Sequence, residues 1–384
     1  NNSITSINTD SLAKEFEVPV AADPRSVAVA GTGEIWVTCL DADRLDILSA
    51  EDGRHITSIQ LDYGSEPYGI AFTRDGSAGF VSLMGSGQLL KINPVQRRVV
   101  DRLDIGPTPR AIAVSGDGGR VLVTRFMSPQ THGEVYDVNA HDFTLTRTIQ
   151  LAKDTTEDNA NGGRGVPNYL MGVTINPDGN SAWVSSQKVN VDRGLFRENQ
   201  ALSHENTVRS ILSYIDLDTN TENISRRIDI DNSNMPMGIG FSPLGDYAFV
   251  AMQANNMLVD IDLLTGSSGT RIPAGKAPQG VWFVPENERL IAHNFMGRSV
   301  TIYDAKPFLR KGAGLVDLAT VPTVSQESLE PDVLRGKKLF YSAADARLAL
   351  DGYQSCASCH EDGGTDNRIW DFTDRGEGLR NTPD

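Results

Sequence analysis

Five consecutive residues near the end of the 384-residue sequence, Cys356-Ala357-Ser358-Cys359-His360, have the types and spacing of a covalent haem attachment site. Two thiols three positions apart can each form a thioether to one of the two vinyl groups of a single porphyrin. The next residue, His360, can then bind the iron as proximal ligand. The sequence therefore predicts one haem c, attached through Cys356 and Cys359 and ligated by His360.

Two other uses of a Cys-x-x-Cys pair fit the sequence less well. A zinc ribbon needs a second ligand pair, and no cysteine follows Cys359. A thioredoxin-type redox disulfide needs a βαβ context, which the surrounding sequence lacks. Cys39, the third cysteine, lies in an apolar stretch (residues 34–40) and is expected to be a buried core residue.

The sixth iron ligand is not evident from the sequence. No histidine follows His360, and the last methionine precedes the motif. The candidates are His293, Met296, His132 and Met127, although each can equally fill an ordinary strand or loop position. Basic residues near the motif are expected either to pair with the haem propionates or to form a solvated basic face; they are Arg335, Lys337, Lys338 and Arg380. Trp370 is expected to stack on the haem, to carry electrons or to pack in a small core.

A repeat of 42 or 43 residues fills most of the chain before this motif. Each unit begins with proline and a short apolar stretch, continues through an Asp-Gly type of turn, and contains four short strand patterns. Such a unit is typical of one propeller blade, whose faces are buried only by neighbouring blades. The sequence therefore predicts an all-β fold, a β-propeller with six recognisable blades, beginning at Pro24, Pro67, Pro109, Pro167, Pro236 and Pro278.

The ends of the repeat predict half of another blade. Residues 3–10 and 15–20 have the patterns of a third and a fourth strand, without the two inner strands. We expect upstream residues to supply those strands, which gives seven blades in the intact protein; irregular closure is the alternative. The propeller is expected to span residues 1–322. Residues 323–384 should form a small α-helical, incomplete cytochrome c segment whose first helix begins at Pro331-Asp332.

Two insertions interrupt the repeat, at residues 153–166 and 188–209. Long loops on a rigid scaffold often carry function, and these two could form a lip above one face. The first is acidic, so a Ca²⁺ site is one interpretation and a solvated loop is the other.

The two parts resemble known families. The units with Pro-x-x-Ile/Val-Ala, an Asp-Gly turn and Ile-Asp-x-x-Thr-Gly resemble the YVTN-type bacterial β-propeller repeat. The motif and its flanks resemble the first haem domain of bacterial dihaem cytochrome c peroxidases, a group that includes methylamine-dehydrogenase maturation enzymes; these flanks are Arg335-Gly336-Lys337-Lys338-Leu339-Phe340, Trp370-Asp371-Phe372 and Arg380-Asn381-Thr382-Pro383. The resemblance implies peroxide chemistry or electron transfer between two haems. Only one motif is present and 24 residues follow His360, so peroxidase activity is not carried over.

Composition and charge restrict the function further. The net charge is −15 without a basic cluster, which disfavours nucleic-acid binding, and no apolar stretch could span a membrane. The chain begins without Met, as after removal of a targeting segment or inside a longer chain, and thioether attachment indicates the periplasm or the outside of a bacterial cell. We expect an exported redox protein for electron transfer or peroxidase-like chemistry, an oxidoreductase if it is an enzyme, with a redox partner protein or a small-molecule oxidant. The alternatives are a non-catalytic scaffold subunit and a lactonase-type hydrolase.

Overall fold

The computed structural model describes residues 1–158, 162–191, 205–373 and 376–382, and it shows six complete antiparallel sheets arranged as propeller blades. Within each blade the strands follow chain order. The first strands of successive blades contact one another from blade one to blade six, so they surround the propeller axis. This confirms the predicted all-β propeller with six blades.

The strand boundaries follow the repeat. Before the first complete blade lie β1 (Ser3–Asn8) and β2 (Ala13–Pro19). Blades one to three comprise β3 (Pro24–Ala30), β4 (Glu34–Cys39), β5 (Arg44–Ser49) and β6 (His55–Gln60); β7 (Pro67–Phe72), β8 (Gly79–Leu83), β9 (Gln88–Asn93) and β10 (Arg98–Asp104); and β11 (Pro109–Val114), β12 (Arg120–Arg125), β13 (His132–Asn139) and β14 (Thr144–Ala152).

Blades four to six continue the same order. They comprise β15 (Val166–Ile175), β16 (Ser181–Val189), β17 (Val208–Asp216), β18 (Thr221–Glu222) and β19 (Ile228–Ile230); β20 (Pro236–Phe241), β21 (Tyr247–Met252), β22 (Met257–Asp262) and β23 (Ser267–Pro273); and β24 (Pro278–Val284), β25 (Arg289–Asn294), β26 (Ser299–Asp304) and β27 (Val316–Pro322), with helix α1 (Lys306–Lys311) between the last two strands.

Local sequence explains the blade geometry. Gly76 and Gly118 lie in the turns between first and second strands with φ of 70° and 74°, a left-handed conformation that glycine adopts at little cost. The second strands β4, β8 and β16 are buried throughout because they lie between neighbouring blades. Cys39 at the end of β4 is fully buried, as predicted for a core residue.

A hydroxyl group on the second strand joins each of the first four blades to the next. It donates a hydrogen bond to a carbonyl near the start of the following blade's first strand, and it thereby satisfies a buried backbone acceptor. The four pairs are Thr38 Oγ1 to Tyr68 O (2.6 Å), Ser82 Oγ to Arg110 O (2.6 Å), Thr124 Oγ1 to Leu170 O (3.0 Å) and Ser185 Oγ to Met237 O (2.5 Å).

The predicted half-blade is confirmed as a two-stranded antiparallel sheet of β1 and β2. Its register shifts between Ser6 and Ile7, as the register between third and fourth strands shifts between Ile47 and Leu48 in blade one. This shared irregularity identifies β1 and β2 as the third and fourth strands of a further blade. Their apolar side chains, Ile4, Phe16 and Val18, pack against blade one.

Several side chains of the half-blade, among them Thr5 and the Glu17 carboxylate, fasten it to the chain that leaves blade six. Glu17 accepts hydrogen bonds from the Ser325 hydroxyl (2.6 Å) and amide (2.8 Å), and Lys14 Nζ lies 2.9 Å away. The Ser325 hydroxyl is the largest cause that lowers the pKa of Glu17, from 4.5 to about 2. Because the folded pKa is depressed, its stabilisation is complete above about pH 4.5 and is lost as the pH falls towards 2.

We therefore expect amide protection of β1 and β2, measured by hydrogen exchange and corrected for intrinsic rates, to fall between pH 4.5 and 2. In the Glu17→Gln variant, protection at pH 6 should already be lower and its pH dependence weaker. Glu15→Gln is the matched control, because the bonds that Glu15 makes with described residues go to Ser6 and Asn8 within the hairpin. Equal protection in all three proteins would contradict the assignment.

The C-terminal segment lies on the propeller face where the first strands begin. Helix α2 (Pro331–Phe340) starts at the predicted residue, α3 (Ala357–His360) carries the motif, and β28 (Ile369–Phe372) pairs with β29 (Gly378–Asn381). The segment is thus less helical than expected. Short 3-10 turns complete the structure at Ile224–Arg226, Gln253–Asn255, Leu350–Gly352 and Glu361–Gly363. No helix among the described residues is long and apolar enough to cross a membrane.

Candidate functional site

The three residues predicted to hold haem lie on a single helical turn. Cys356 precedes α3 with helical dihedral angles (φ −58°, ψ −38°), and the His360 amide donates to its carbonyl at 3.1 Å. Neither Cys356 nor Cys359 forms a disulfide; the first is exposed and the second half-buried. The local fold therefore presents two free thiols and an imidazole on one short stretch of backbone.

The hydrogen bond of His360 defines its tautomer. Nδ1 lies 3.0 Å from the Gly364 carbonyl oxygen, which can only accept, so Nδ1 carries the proton. The lone pair of a neutral imidazole is then on Nε2, which has no hydrogen-bond partner in the described part of the chain. Metal-ligating histidines usually donate their second ring nitrogen in this way, which fixes the ring orientation.

The surroundings of Cys359 differ from those of a reactive thiol. Its side chain packs against Val166, Val189, Val208 and Trp370. Burial, with a smaller contribution from Asp366, raises the pKa of the Cys359 thiol to about 12. Redox-active and nucleophilic Cys-x-x-Cys thiols have lowered pKa values. The geometry therefore favours a thiol held protonated in an apolar wall over a redox disulfide.

Buried polar groups of the propeller anchor the motif. Asn234, which is fully buried, accepts a hydrogen bond from Ser358 Oγ (2.8 Å) and donates to the Tyr353 carbonyl (2.8 Å). Tyr169 Oη donates to the Cys359 carbonyl at 3.1 Å. These bonds come from blades four and five, so the orientation of the turn depends on the propeller.

The residues directly after His360 enter the mouth of the central channel. Asp362 accepts from Arg25 Nη1 (2.8 Å) and from Arg110 Nη2 (3.4 Å), and the carboxylate of Glu361 lies 3.8 Å from Arg110. Arg25, Tyr68 and Arg110 each directly follow a repeat proline at the start of a first strand. The repeat therefore places these three side chains on a ring around the channel mouth.

Arg110 is the centre of this arrangement. It is only 1% exposed, and its guanidinium lies between the rings of Tyr68 (4.2 Å) and Phe126 (3.9 Å). Burial first, and then Asp362, raise the pKa of Glu361 to about 8. Burial alone would raise the pKa of Asp362 too, but Arg110 and Arg25 hold it below its usual value. Two arginines thus face one firmly ionised carboxylate and one that holds its proton more tightly.

Sequence reasoning missed this channel-mouth cluster. The available signal was the residue after each repeat proline, which is Arg in blades one and three and Tyr in blade two. Nothing in the sequence connects these positions to Glu361 and Asp362. Asp362, for example, lies more than 250 residues after Arg110.

The expected haem surroundings are only partly brought together. Trp370 packs beside Cys359, and its Nε1 donates to Asp366 Oδ2 (3.0 Å), which indicates a packed aromatic. Arg380 is paired with Trp370 across β28 and β29 and is exposed. Arg335 and Lys338 are exposed on α2, where they line a groove of about 700 Å³, and no described contact joins them to the motif.

The four candidate sixth ligands each have local surroundings of their own. Met296 is 1% exposed within the core and Met127 packs against the same cluster. His132 lies 3.0 Å from Glu134, and His293 is exposed on β25. No described contact joins any of them to His360, so the sixth ligand stays a prediction.

Two carboxylates of the acidic insertion are bound by side chains of blade four. Lys188 Nζ lies 2.9 Å from Asp154, and Asn190 donates to Asp158 at 3.0 Å. The described residues contain no group of three His, Cys, Asp or Glu side chains that could hold a metal ion, so they do not support the Ca²⁺ interpretation. Other insertion residues lie outside the described residues; they are Asn159, Asn161, Arg193, Phe196, Arg197 and His204.

Comparison with known proteins supports the fold alone. No family model matches the chain, and no curated protein is similar in sequence. Among solved structures, hydrazine synthase from Kuenenia stuttgartiensis is similar with a TM-score of 0.69 and 16% identity, over 78% of this chain and 89% of that chain. Virginiamycin B lyase from Staphylococcus aureus is similar with a TM-score of 0.55 and 13% identity, over 80% and 86%. A streptogramin B lyase is similar with a TM-score of 0.54 and 12% identity, over 80% and 84%.

These similarities define the class of protein. The chain is a β-propeller protein, and neighbours of varied function share its fold at identities too low to transfer an activity. The residues of the candidate site therefore have to indicate the function.

Proposed function

We propose that this protein is an exported c-type haem protein that transfers electrons through one haem attached to Cys356 and Cys359. The single observation that carries the proposal is the hydrogen bonding of His360, which directly follows the second of two thiols that form no disulfide. Its Nδ1 is held by the Gly364 carbonyl at 3.0 Å, and its Nε2 has no hydrogen-bond partner among the described residues. This donor set fits haem c in residue type, in spacing and in the tautomer of His360.

Exposed apolar surface on the same segment supports a bound porphyrin. Large apolar side chains are seldom exposed in a group unless something covers them. Six of them, each more than 40% exposed, lie in the segment after residue 322: Val333, Leu339, Leu348, Leu350, Ile369 and Leu379. On the hairpin, Ile369 and Leu379 share one face, while Trp370 is buried on the other.

Each part of the chain has a separate role in this proposal. A bound haem c supplies a one-electron couple at its iron. The Gly364 carbonyl holds the proton of His360 on Nδ1 and so keeps Nε2 available. Asn234 and Tyr169 fix the backbone of the motif, while the valines around Cys359 exclude water from its thiol. The channel-mouth cluster then fixes the motif over the propeller axis.

The propeller would act as a docking platform for a redox partner protein or a small-molecule oxidant. The net charge of −15 favours partners with a basic surface and makes association sensitive to ionic strength. Haem attachment to such motifs belongs to the periplasm or cell exterior, which is where we propose the protein works. Peroxidase-like chemistry is the narrower form of the same proposal.

The native protein, produced in a bacterial host with cytochrome c maturation, tests the proposal directly. We expect an intact mass equal to the polypeptide plus one haem, retained after denaturation, and a Soret band. Sharp α and β bands after reduction would indicate a six-coordinate electron-transfer haem. A high-spin spectrum that changes on adding peroxide or cyanide would favour peroxidase-like chemistry. A mass equal to the polypeptide alone would overturn the proposal and leave the scaffold alternative.

A lactonase-type hydrolase gains no support from the site. That activity would need a metal-binding group of carboxylates in the channel. The part of the chain that the structure describes groups no three such ligands, and Arg25 and Arg110 bind the two acidic residues at the channel mouth.

A further inference from the structure

Among the described strands the first strands contact one another from β3 to β24, but β24 and β3 do not pack together, so the ring is open between blade six and blade one. Blade one presents an apolar wall to the opening. Val27 and Val29 of β3 are 59% and 61% exposed. The corresponding residues of β7, Ile70 and Phe72, pack against blade one; Ile70 is 8% exposed and the Phe72 ring lies 5.7 Å from that of Trp36. Val27 and Val29 therefore occupy positions that are covered by the preceding blade elsewhere in the propeller.

Blade six presents the opposite wall. Trp282 of β24 is 71% exposed, at the position where β3, β7 and β11 have a small residue, Ala28, Ala71 or Ala113, facing the next blade. The other three tryptophans, Trp36, Trp183 and Trp370, are at most 5% exposed. A large aromatic side chain left in solvent at an inter-blade position indicates a missing neighbour.

The edge of β1 closes the opening on its outer side. In the complete blades the third strand pairs on both sides, as β26 does with β25 and β27. β1 occupies the third-strand position but pairs only with β2 among the described strands. Its inner edge therefore offers unpaired backbone groups to a further strand.

His293 of β25 occupies the position of the inter-blade hydroxyl. In the strand register His293 lies opposite Gly280, and Thr38 of blade one likewise lies opposite Ser26. Thr38 donates to the carbonyl of Tyr68 in the next blade. The exposed ring of His293 is thus placed to donate to the first strand of a seventh blade.

We propose that this opening, called here the blade-seven slot and lined by Val27, Val29, Trp282, His293 and the edge of β1, is the docking site of a β-hairpin from the same polypeptide. The hairpin has the inner-strand pattern of the other blades and enters β1 from the side of Asn1. The slot is continuous with the five inter-blade interfaces between blades one and six, and its two walls repeat their surfaces. Pairing with β1 adds backbone hydrogen bonds, and the hairpin's large apolar residues cover Trp282.

Blade two gives the length of the connection. Four residues separate the end of β8 at Leu83 from the start of β9 at Gln88, and the same number separates β4 from β5. A second strand that is separated from Ser3 by about four residues can therefore pair antiparallel with β1. The slot does not involve the residues of the candidate haem site, so its occupation is independent of haem.

The test extends the chain with its own inner-strand sequence. A second copy of residues 67–85 is placed directly before Asn1, so that Met84 and Gly85 of the copy, Asn1 and Asn2 form the four-residue turn. Hydroxyl-radical footprinting then reports the oxidation of Trp282, with the buried Trp36 as internal reference. We expect at least a tenfold slower oxidation of Trp282 in the extended protein and a higher melting temperature.

Two controls keep the result specific. The same extension with the copies of Ile70 and Phe72 replaced by Asp should leave Trp282 reactive, and so should the Val27→Asp, Val29→Asp double variant of the extended protein. Unchanged oxidation of Trp282 in an extended protein of verified mass would overturn the proposal. Protection of Trp282 in the unextended protein that disappears on dilution would overturn it as well, because a second copy would then be the occupant.

Discussion

Replacing both Cys356 and Cys359 by serine is expected to lower the haem content from one per chain to none. Serine keeps the size and exposure of each side chain but cannot form a thioether to a vinyl group. His360 alone would have to retain the haem by a single axial bond at an exposed turn. The measurement is haem per polypeptide, from intact mass and from the pyridine haemochrome, after denaturing gel electrophoresis.

Cys39→Ala is the matched control, since Cys39 is fully buried in blade one and away from the motif in sequence. Its loss should cost some stability and leave the haem content at one. A covalently bound haem that persists in the double serine variant would contradict the assignment of the attachment site. Loss of haem in the Cys39→Ala protein would indicate that folding, and not thioether chemistry, limits attachment.

Replacing Arg110 by methionine is expected to lower the free energy of unfolding by about 3–5 kcal/mol, the usual effect of removing one partner of a buried ion pair. Methionine keeps the contact with the rings of Tyr68 and Phe126 but leaves Asp362 and Glu361 with less positive charge. The segment should then leave the channel mouth more readily. The measurements are urea unfolding followed by circular dichroism, and the rate of proteolysis after α2.

Arg102→Ala is the control, because Arg102 pairs with the exposed Asp62 at 2.8 Å on the surface and such pairs contribute about 0–1 kcal/mol. If the Arg110→Met substitution shifted the unfolding midpoint as little as the control substitution does, the role of Arg110 would be contradicted. In the holoprotein, the redox titration curve of the haem should be broader in the same variant. The reason is that a loosened loop no longer fixes the His360–Gly364 hydrogen bond.

Periodic features were readable from the sequence because every unit repeats them. The proline register gave the six blades, and the strand pattern of residues 3–20 gave the half-blade, later supported by the shared register shift at Ser6. The helix at Pro331 was readable from its proline start and apolar spacing. Trp370 and Arg380 were recognised as neighbours of the motif in sequence, but only Trp370 packs against Cys359.

By itself the sequence determined the propeller class and the donor set of the candidate haem site, because both depend on local spacing: one on a repeated strand pattern, the other on five adjacent residues. Only the tertiary structure decided that Glu361 and Asp362 enter the channel mouth between Arg25 and Arg110. It also decided which side chains, Val27, Val29 and Trp282, line the slot between blades six and one. Such contacts join residues hundreds of positions apart. These contacts depend on how the blades pack around the propeller axis, and local sequence patterns do not encode that packing.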